Sequence, residues 1–293
     1  MRCFISNLPV RLDLPQDIDA ERWLPTFRDF RHPASPEEEK EPLFRLSLTD
    51  GLPEPQGPKR LLTDEPDTDM GRLRLWETPQ AYLIELTTAN GTRHQMQLDP
   101  SACHAQATVD RNDPLAGQVL SSWVRIGCAQ AVLRVQGVSV HASAVICQGK
   151  AYLFLGKSGT GKSTHARLWL QRFPDTSLLN DDNPIIRFRN GSLHAFGTPW
   201  SGKTPCYRNL SYPVGGIVRL SQAPDNRFTP CREAEAFIQL LPSCSAIRHN
   251  NRLYNQLCNT LVRISSTVPV ARMECRPDPD AAEICRKRLT TDD

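Results

Sequence analysis

Short runs of alternating apolar and polar residues dominate the first part of the chain. Such runs predict strands, and the polar, Pro-rich stretches between them predict loops. Asn90-Gly91 separates two of these runs and is typical of a two-residue hairpin turn. The pattern predicts strands at 4–14 (a strand pair or an extended segment), 43–48, 73–76, 81–87 and 94–98, and loops at 33–42 and 53–69. Residues 1–114 are therefore expected to form a small β-rich N-terminal region.

A different pattern begins at Leu115. Residues 115–135 place apolar side chains on one broad helical face, which predicts a helix that opens a second domain, 115–293. Asn190-Gly191 indicates another hairpin between 184–189 and 192–196. Further strands are predicted at 151–155, 214–220 and 268–274, and further helices at 163–173, 233–241, 251–265 and 281–289. Helices interleaved with hairpins predict a mixed α/β fold whose sheet is mixed or antiparallel.

Composition narrows the class of protein. The chain has 293 residues, 39% of them hydrophobic and 23% charged, so a soluble protein with a sizeable core is expected. A net charge of +3 does not favour a nucleic-acid or membrane partner. Neither a signal-peptide core nor an apolar run of about 20 residues is present in the sequence. The ten scattered cysteines favour reduced thiols in a cytoplasmic protein, with a disulfide framework as the alternative.

The strongest chemical signal is a glycine loop between the predicted strand at 151–155 and the helix at 163–173. Its Gly-x-x-x-x-Gly-Lys-Ser pattern predicts a phosphate-binding loop, because glycines let successive backbone N–H groups surround an anion. Lys162 would contact the outer phosphates of ATP, and Ser163 would ligate Mg²⁺. The predicted nucleotide-binding residues are Gly156, Lys157, Ser158, Gly159, Thr160, Gly161, Lys162, Ser163 and Thr164. A glycine turn without nucleotide is the alternative.

Two adjacent carboxylates, Asp181 and Asp182, follow the predicted helix. Phosphoryl transfer requires positioning and neutralisation of charge, and Mg²⁺ takes one or two carboxylates besides phosphate and water. The pair is therefore predicted to hold Mg²⁺ together with Ser163, with Mn²⁺ as an alternative metal. Neighbouring side chains on an extended chain point to opposite faces, so the two carboxylates are expected to differ in role. A plain turn is the alternative interpretation.

Three further residues are candidates with open alternatives. Lys203 and Trp200 lie in a turn-rich loop, Gly197-Thr-Pro-Trp-Ser-Gly-Lys, that is expected near the strand ends. Lys203 could bind the γ-phosphate or an acidic substrate, whereas Trp200 could stack on a ligand or simply pack against the core. His141, taken alone, favours a half-buried strand histidine. Arg208 and Arg219 are weaker candidates for contacts with anions.

Three motifs in this order resemble a known catalytic core. They are Val140-His141-Ala-Ser143-Ala-Val, the glycine loop with Lys162-Ser163, and Asn180-Asp181-Asp182. Similar motifs occur in HPr kinase/phosphorylase and in the phosphoenolpyruvate carboxykinases, and the resemblance covers roughly residues 117–290. Gly-Thr-Pro-Trp-Ser-Gly-Lys is similar to an HPr-kinase-like branch of this superfamily. Thr164 departs from the pattern, since it stands where HPr kinases have a glutamate.

The resemblance implies a P-loop core with the mixed sheet of the carboxykinase and HPr kinase C-terminal type. It also implies that Asp181 is the general base, that Asp182 lies nearer the metal, and that His141 is a metal ligand or a charge partner of the phosphate. HPr kinases are oligomeric, so a homo-oligomer is one alternative for the assembly.

The expected function is ATP- and Mg²⁺-dependent phosphoryl transfer to a hydroxyl acceptor. The acceptor would be a serine of a small protein or peptide, or a small metabolite, and Asp181, His141 and Lys203 would be the catalytic residues. Two alternatives stay open. One is a short carboxykinase-like enzyme, and the other is an ATP-binding sensor or partner protein without turnover.

Overall fold

The computed structural model describes residues 1–32 and 41–290, which form two compact units. The first unit is drawn from Met1–Ala131 and Ile247–Leu253, and the second from Val132–Ala246 and Tyr254–Asp293. The loop predicted at 33–42 lies almost entirely outside the described residues.

The first unit is built on one mixed sheet. Its described strands are β1 (Arg2–Ile5), β2 (Leu8–Asp13), β3 (Phe44–Leu48), β4 (Arg60–Thr68), β5 (Gly71–Glu77), β6 (Tyr82–Thr88), β7 (Arg93–Leu98) and β8 (His104–Thr108). They are arranged in the order β1-β2-β3-β8-β7-β6-β5-β4. The predicted strand pair at 4–14 and the hairpin around Asn90-Gly91 are confirmed as β1–β2 and β6–β7. Two helices accompany the sheet, α1 (Ala20–Trp23) and α2 (Ala116–Ala131).

The loop predicted at 53–69 is partly wrong, because β4 occupies its second half. Pro66 lies within this strand. Strand β4 is the last strand in the sheet order, and its register shifts between Glu65 and Thr68. An edge strand with a bulge tolerates a residue that lacks a backbone N–H. The prolines of this stretch therefore indicate an edge strand as well as a loop.

The domain boundary predicted just before Leu115 also differs from the structure. Helix α2 belongs to the first unit and packs on α1, β3, β7 and β8. Gly127 lies so close to the Phe44 ring that a Cβ atom there would be 2.0 Å from a ring carbon. The apolar face of α2 predicts that the helix is buried, but it does not show which sheet the helix packs against. The sequence pattern therefore could not assign α2 to the first unit.

The second unit contains a larger mixed sheet. Its described strands are β9 (Gly137–Ser139), β10 (Ala142–Cys147), β11 (Lys150–Leu155), β12 (Thr176–Asp182), β13 (Ile185–Arg189), β14 (Ser192–Phe196), β15 (Ser211–Gln222), β16 (Arg227–Cys231) and β17 (Val270–Cys275). The main order is β12-β10-β11-β15-β14-β13-β9, and β17 lies beside β15 with β16 as its other neighbour. The helices are α3 (Lys162–Arg172), α4 (Glu233–Leu240), α5 (Asn251–Ser265), which belongs to this unit from Tyr254 onward, and α6 (Pro279–Thr290).

The second sheet combines parallel and antiparallel pairs. Strand β11 is parallel to β15, and β15 is parallel to β17, whereas β10–β11, β10–β12 and β13–β14 are antiparallel. The predicted hairpin at Asn190-Gly191 is confirmed, and both turn residues have positive φ, 49° and 84°. The mixed α/β class predicted from the sequence is thus confirmed at this level.

An apolar core lies between this sheet and helices α3 and α6. Phe154, Trp169 and Met273 are fully buried at its centre. Trp169 contacts Phe154 and Phe173 with ring centroids 5.4 and 5.3 Å apart. Burial of these large aromatic side chains stabilises the packing of α3 on the sheet.

The cysteines are free thiols, and seven of the ten are buried. Burial raises the pKa of the Cys206 and Cys275 thiols above the usual value. Within residues 1–32 and 41–290, none of the helices is both long and apolar enough to cross a membrane.

Candidate functional site

The glycine loop connects the end of β11 to the start of α3, as the sequence predicted. Gly159 and Gly161 have φ of +78° and +103°, in the left-handed region that favours glycine. Gly161 directly precedes α3, and a Cβ on either glycine would meet open space. Glycine is therefore required here by backbone conformation and not by crowding. The first turn of α3 leaves its N–H groups facing the loop, an arrangement that attracts anions.

Lys162 folds back over this loop. Its Nζ donates hydrogen bonds to the carbonyl oxygens of Gly156, at 3.1 Å, and Lys157, at 3.2 Å. Burial lowers the pKa of Lys162, while the nearby carboxylates of Asp182 and Asp181 act in the opposite direction. A partly desolvated ammonium beside open backbone N–H groups is a strong electrostatic partner for an anion.

Strand pairing joins the glycine loop to the carboxylate pair. Strand β10 lies between β11 and β12, and its register places Ser143 opposite Asp181. The Ser143 hydroxyl donates to Oδ1 of Asp181 and lies 3.5 Å from the Ser163 hydroxyl. Ser143 therefore connects the predicted metal ligands of two motifs. The sequence contained one signal for it, its position in the His141-Ala-Ser143 motif, but its contacts depend on strand pairing.

The two carboxylates face different surroundings, as expected for neighbours on an extended strand. Asp181 is 4% exposed, and its Oδ2 accepts a hydrogen bond from the Thr204 N–H at 3.3 Å. The Asp182 side chain is 34% exposed and accepts a hydrogen bond from the Asn183 amide. His141 Nε2 lies 3.6 Å from Asp182 Oδ1, slightly beyond a direct hydrogen bond. Asp181 is thus enclosed by donors, whereas Asp182 and the half-exposed His141 form an accessible pair.

Asn180 holds this end of β12 in place. Its side chain is fully buried and donates to the backbone oxygen of Trp200 at 2.8 Å. Its Oδ1 accepts from the N–H groups of Asp182, at 3.1 Å, and Asn183, at 3.0 Å. A register shift in the β10–β12 pairing comes just before it, at Leu179. Sequence reasoning did not assign Asn180 a role, although its position directly before the two carboxylates was a usable signal.

The segment from Gly197 to Leu210, named here the 197–210 loop, covers Asp181. Its ends are joined by a hydrogen bond from Gly197 N to Leu210 O at 3.0 Å. Its middle is attached to Asp181 through a hydrogen bond from Gly202 N to Asp181 O at 2.8 Å. Trp200 is 7% exposed, so it packs as a buried anchor of the loop, whereas Lys203 is exposed. The structure therefore brings the loop to the carboxylate pair and leaves the ammonium of Lys203 in solvent.

The remaining sequence candidates are less closely involved. Lys157 and Ser158 are exposed on the glycine loop, and Thr164 is partly buried in the first turn of α3. Arg219 donates to Gln239 O at 2.7 Å and to the Ser243 hydroxyl at 3.0 Å, so it ties β15 to the end of α4. Arg208 is exposed on the 197–210 loop.

The donor set fits a nucleotide with its metal better than a metal alone. Among the described residues, no group of three or more His, Cys, Asp and Glu side chains could hold a metal ion. Mg²⁺ does not need such a group, because it binds through one or two carboxylates and takes phosphate oxygens and water for the rest. Ser163, Asp181 and Asp182, together with Lys162 and the loop N–H groups, supply that smaller set.

Comparisons with known proteins give limited information. No protein-family model matches the chain, and no curated protein matches it. The structure is similar to that of the Hpr(Ser) kinase/phosphatase from Coxiella burnetii, with 12% sequence identity and a TM-score of 0.31. The match covers 52% of this chain and 92% of that chain. A similarity at this level carries no argument, so the case for a function depends on the site itself.

Proposed function

We propose that this protein transfers the γ-phosphoryl group of ATP to a hydroxyl acceptor with the help of Mg²⁺. The observation that carries the proposal is the position of Ser143, whose hydroxyl donates to Asp181 and lies 3.5 Å from Ser163. Through it, a carboxylate, a hydroxyl and the N-terminus of α3 meet at one point. That combination suits a transfer that depends on positioning and charge neutralisation.

On the nucleotide side, the loop N–H groups and Lys162 would hold the phosphates of ATP. Ser163 and Asp181 would hold the metal, which supplies neutralisation of the charge on the phosphate oxygens. Ser143 would keep Asp181 turned toward Ser163, since its hydroxyl donates to Oδ1. Both oxygens of Asp181 already accept hydrogen bonds, so this carboxylate is held in a fixed orientation.

On the acceptor side, we infer that Asp182 is the general base. Its Oδ1 faces His141 at 3.6 Å, and its side chain is partly exposed, so an acceptor hydroxyl can reach it. The acceptor oxygen would bond to the γ-phosphorus while the bond to the β-phosphate oxygen breaks. The hydroxyl proton would pass to Asp182, and ADP would leave. This reverses the order that the family resemblance implies, in which Asp181 is the base.

The test follows γ-labelled ATP with Mg²⁺ and fractions of a cell extract. We expect label to move to one fraction, and Lys162→Ala to reduce the rate about 10²–10³-fold because a contact with the transferring phosphate is lost. Lys150→Ala is the matched control, since this exposed lysine lies at the opposite end of β11. Full activity of Lys162→Ala would overturn the proposal.

Two other outcomes would point to other functions. Tight ATP binding without transfer of label would favour an ATP-binding sensor. Release of CO₂ from oxaloacetate with ATP would instead favour a carboxykinase-like enzyme.

A further inference from the structure

Lys203 is fixed next to Asp181 by the backbone on both of its sides. The N–H of Gly202 donates to the Asp181 carbonyl oxygen at 2.8 Å, and the N–H of Thr204 donates to Asp181 Oδ2 at 3.3 Å. A Cβ on Gly202 would lie 2.7 Å from that carbonyl oxygen, so glycine permits the close approach. The backbone of Lys203 is thus held within one residue of two contacts to a single aspartate.

The side chain of Lys203 has no part in holding the loop. It is exposed, and it makes no hydrogen bond or ion pair with any other residue of the described chain. The anchoring is done instead by backbone groups, by the buried Trp200 and by the amide of Asn180. The backbone of Lys203 is thus fixed, while its side chain has no partner among the described residues. Its ammonium is available to bind a group from solvent.

The charge of the 197–210 loop is one-sided. Residues 197–210 contain Lys203 and Arg208 and no Asp or Glu. Arg208 is exposed, like Lys203. The loop therefore carries two exposed cations, with the backbone beside Lys203 bonded to Asp181, and offers no acidic side chain of its own to neutralise them.

The 197–210 loop and the side of the proposed nucleotide site contact different carboxylate oxygens of Asp181. Oδ1 accepts from Ser143, the residue that lies near Ser163, while Oδ2 accepts from the N–H of Thr204. The phosphates already have a cation in Lys162 and the N–H groups of the glycine loop. The backbone beside Lys203 thus contacts the oxygen of Asp181 that does not face Ser143 and Ser163, which favours the acceptor over ATP as the partner of this second cation.

We propose that the 197–210 loop selects an acceptor that carries a carboxylate beside its reactive hydroxyl, and that Lys203 is the specificity-determining residue. Arg208 adds a second positive charge on the same loop. The inference rests on the proposed phosphoryl transfer and names the substrate class for it. An exposed ion pair contributes modestly, so each cation accounts for about a fivefold preference, and reversal of its charge changes preference by about tenfold or more.

The experiment uses three synthetic peptides with one central serine flanked by aspartate, by alanine or by lysine, with γ-labelled ATP and Mg²⁺. Wild-type protein should phosphorylate the acidic peptide with the highest kcat/KM. Lys203→Glu should lose that preference and turn toward the basic peptide, and Lys203→Gln should lie between. Lys150→Glu, an equal charge change at the start of β11, should keep the wild-type preference. Glycerate, which carries a hydroxyl and a carboxylate, tests whether a small molecule suffices.

The kinetic constants separate the two roles of a lysine at this position. The inference expects Lys203→Glu to raise KM for the acidic peptide and to leave KM for ATP within about threefold of wild type. If KM for ATP rises and the ranking of the three peptides is unchanged, Lys203 binds nucleotide and the inference is wrong.

Failure of the proposed function would look different. In that case Lys162→Ala would bind and turn over ATP like wild type, or label would move to no peptide, to no glycerate and to no extract fraction. Direct binding of the fluorescently labelled acidic and basic peptides then still decides the inference. Tighter binding of the acidic peptide that Lys203→Glu reverses supports it, and equal binding of both peptides overturns it.

Discussion

Asp181 and Asp182 are neighbours in sequence with opposite environments. Asp181 is buried under the 197–210 loop and accepts hydrogen bonds on both oxygens, while Asp182 is partly exposed beside His141. A base must have an oxygen within reach of the incoming hydroxyl, and a metal ligand must be held in a fixed direction. The surroundings therefore favour Asp181 for the metal and Asp182 for the proton.

Amide substitutions of the two residues should separate these roles. Asp182→Asn should reduce phosphoryl transfer about 10²–10⁴-fold and change the affinity for MgATP little, because only the base is lost. Asp181→Asn should weaken binding of MgATP more than binding of ATP in the presence of a chelator. Equilibrium binding and single-turnover transfer of label measure the two effects. Asp225→Asn, at an exposed position of the same unit, is the control.

The opposite result is equally informative at this scale. If Asp181→Asn abolishes transfer while MgATP affinity persists, the order implied by the family resemblance is correct. His141 would then act on the metal or phosphate, and its 3.6 Å separation from Asp182 would have no part in proton transfer.

At the scale of elements, the sequence predicted those turns and strands whose formation depends on the conformation of neighbouring residues alone. Asn190-Gly191 predicted its hairpin because both residues adopt positive φ, which Asn and Gly tolerate best. Strand β4 was missed because Pro66 argues for a loop unless the strand is at a sheet edge, and edge position is not visible in a local pattern.

Strand β12 and the 197–210 loop act together through Asn180. Replacing Asn180 by alanine removes a buried amide that donates to Trp200 O and leaves the N–H groups of Asp182 and Asn183 without their acceptor. Buried groups without partners cost about 1–3 kcal/mol, so the free energy of unfolding should fall by about that amount. Urea unfolding measures the loss, and hydrogen exchange should show faster exchange at Gly202 and Thr204.

The exchange pattern is the specific part of this prediction. Asn259→Ala, at an exposed position of α5, should change neither the stability nor the loop. If Asn180→Ala loses stability but the amides of Gly202 and Thr204 remain as protected as in wild type, Asn180 supports β12 alone and the loop is held by its other contacts.

At the scale of the whole molecule, the sequence supplied the chemical groups of the site but not their neighbours. Lys162, Ser163 and the two carboxylates were recognisable from motifs. The link through Ser143 requires β10 to lie between β11 and β12 with one particular register, including the shift at Leu179. Pairing between strands distant in sequence is decided by the packing of the entire sheet, so a local pattern could not predict it.

The core beneath the site contains a titratable group that couples stability to pH. His165 is 2% exposed on α3, lies edge-on to Phe154 with ring centroids 4.6 Å apart, and accepts a hydrogen bond from Trp169 Nε1 at 3.2 Å. Burial lowers the pKa of His165 from 6.5 to about 4. Its imidazole is therefore neutral in the folded protein at pH values where it is already protonated in the unfolded chain.

The sign of the effect follows from proton binding. Between pH 6.5 and about 4 the unfolded state binds one more proton than the folded state, so stability falls as pH falls. Protonation of His165 does not lower the free energy of unfolding above pH 6.5. By pH 4 it has lowered the free energy of unfolding by about 3 kcal/mol. His165→Gln should remove this dependence and keep an acceptor for Trp169. Urea unfolding at a series of pH values should thus give a flatter stability curve for the variant.

The difference between the stability curves of wild type and His165→Gln separates the effect of His165 from that of the other titrating groups. Carboxylates contribute to acid unfolding of wild type and variant alike, so only the difference between the two curves reports the histidine. That difference should change between pH 6.5 and 4 and be constant above pH 7. His104→Gln, at an exposed position of β8, should follow the wild-type curve. Parallel curves for wild type and His165→Gln would mean that the core admits a proton at no cost, which is incompatible with an imidazole enclosed by Phe154 and Trp169.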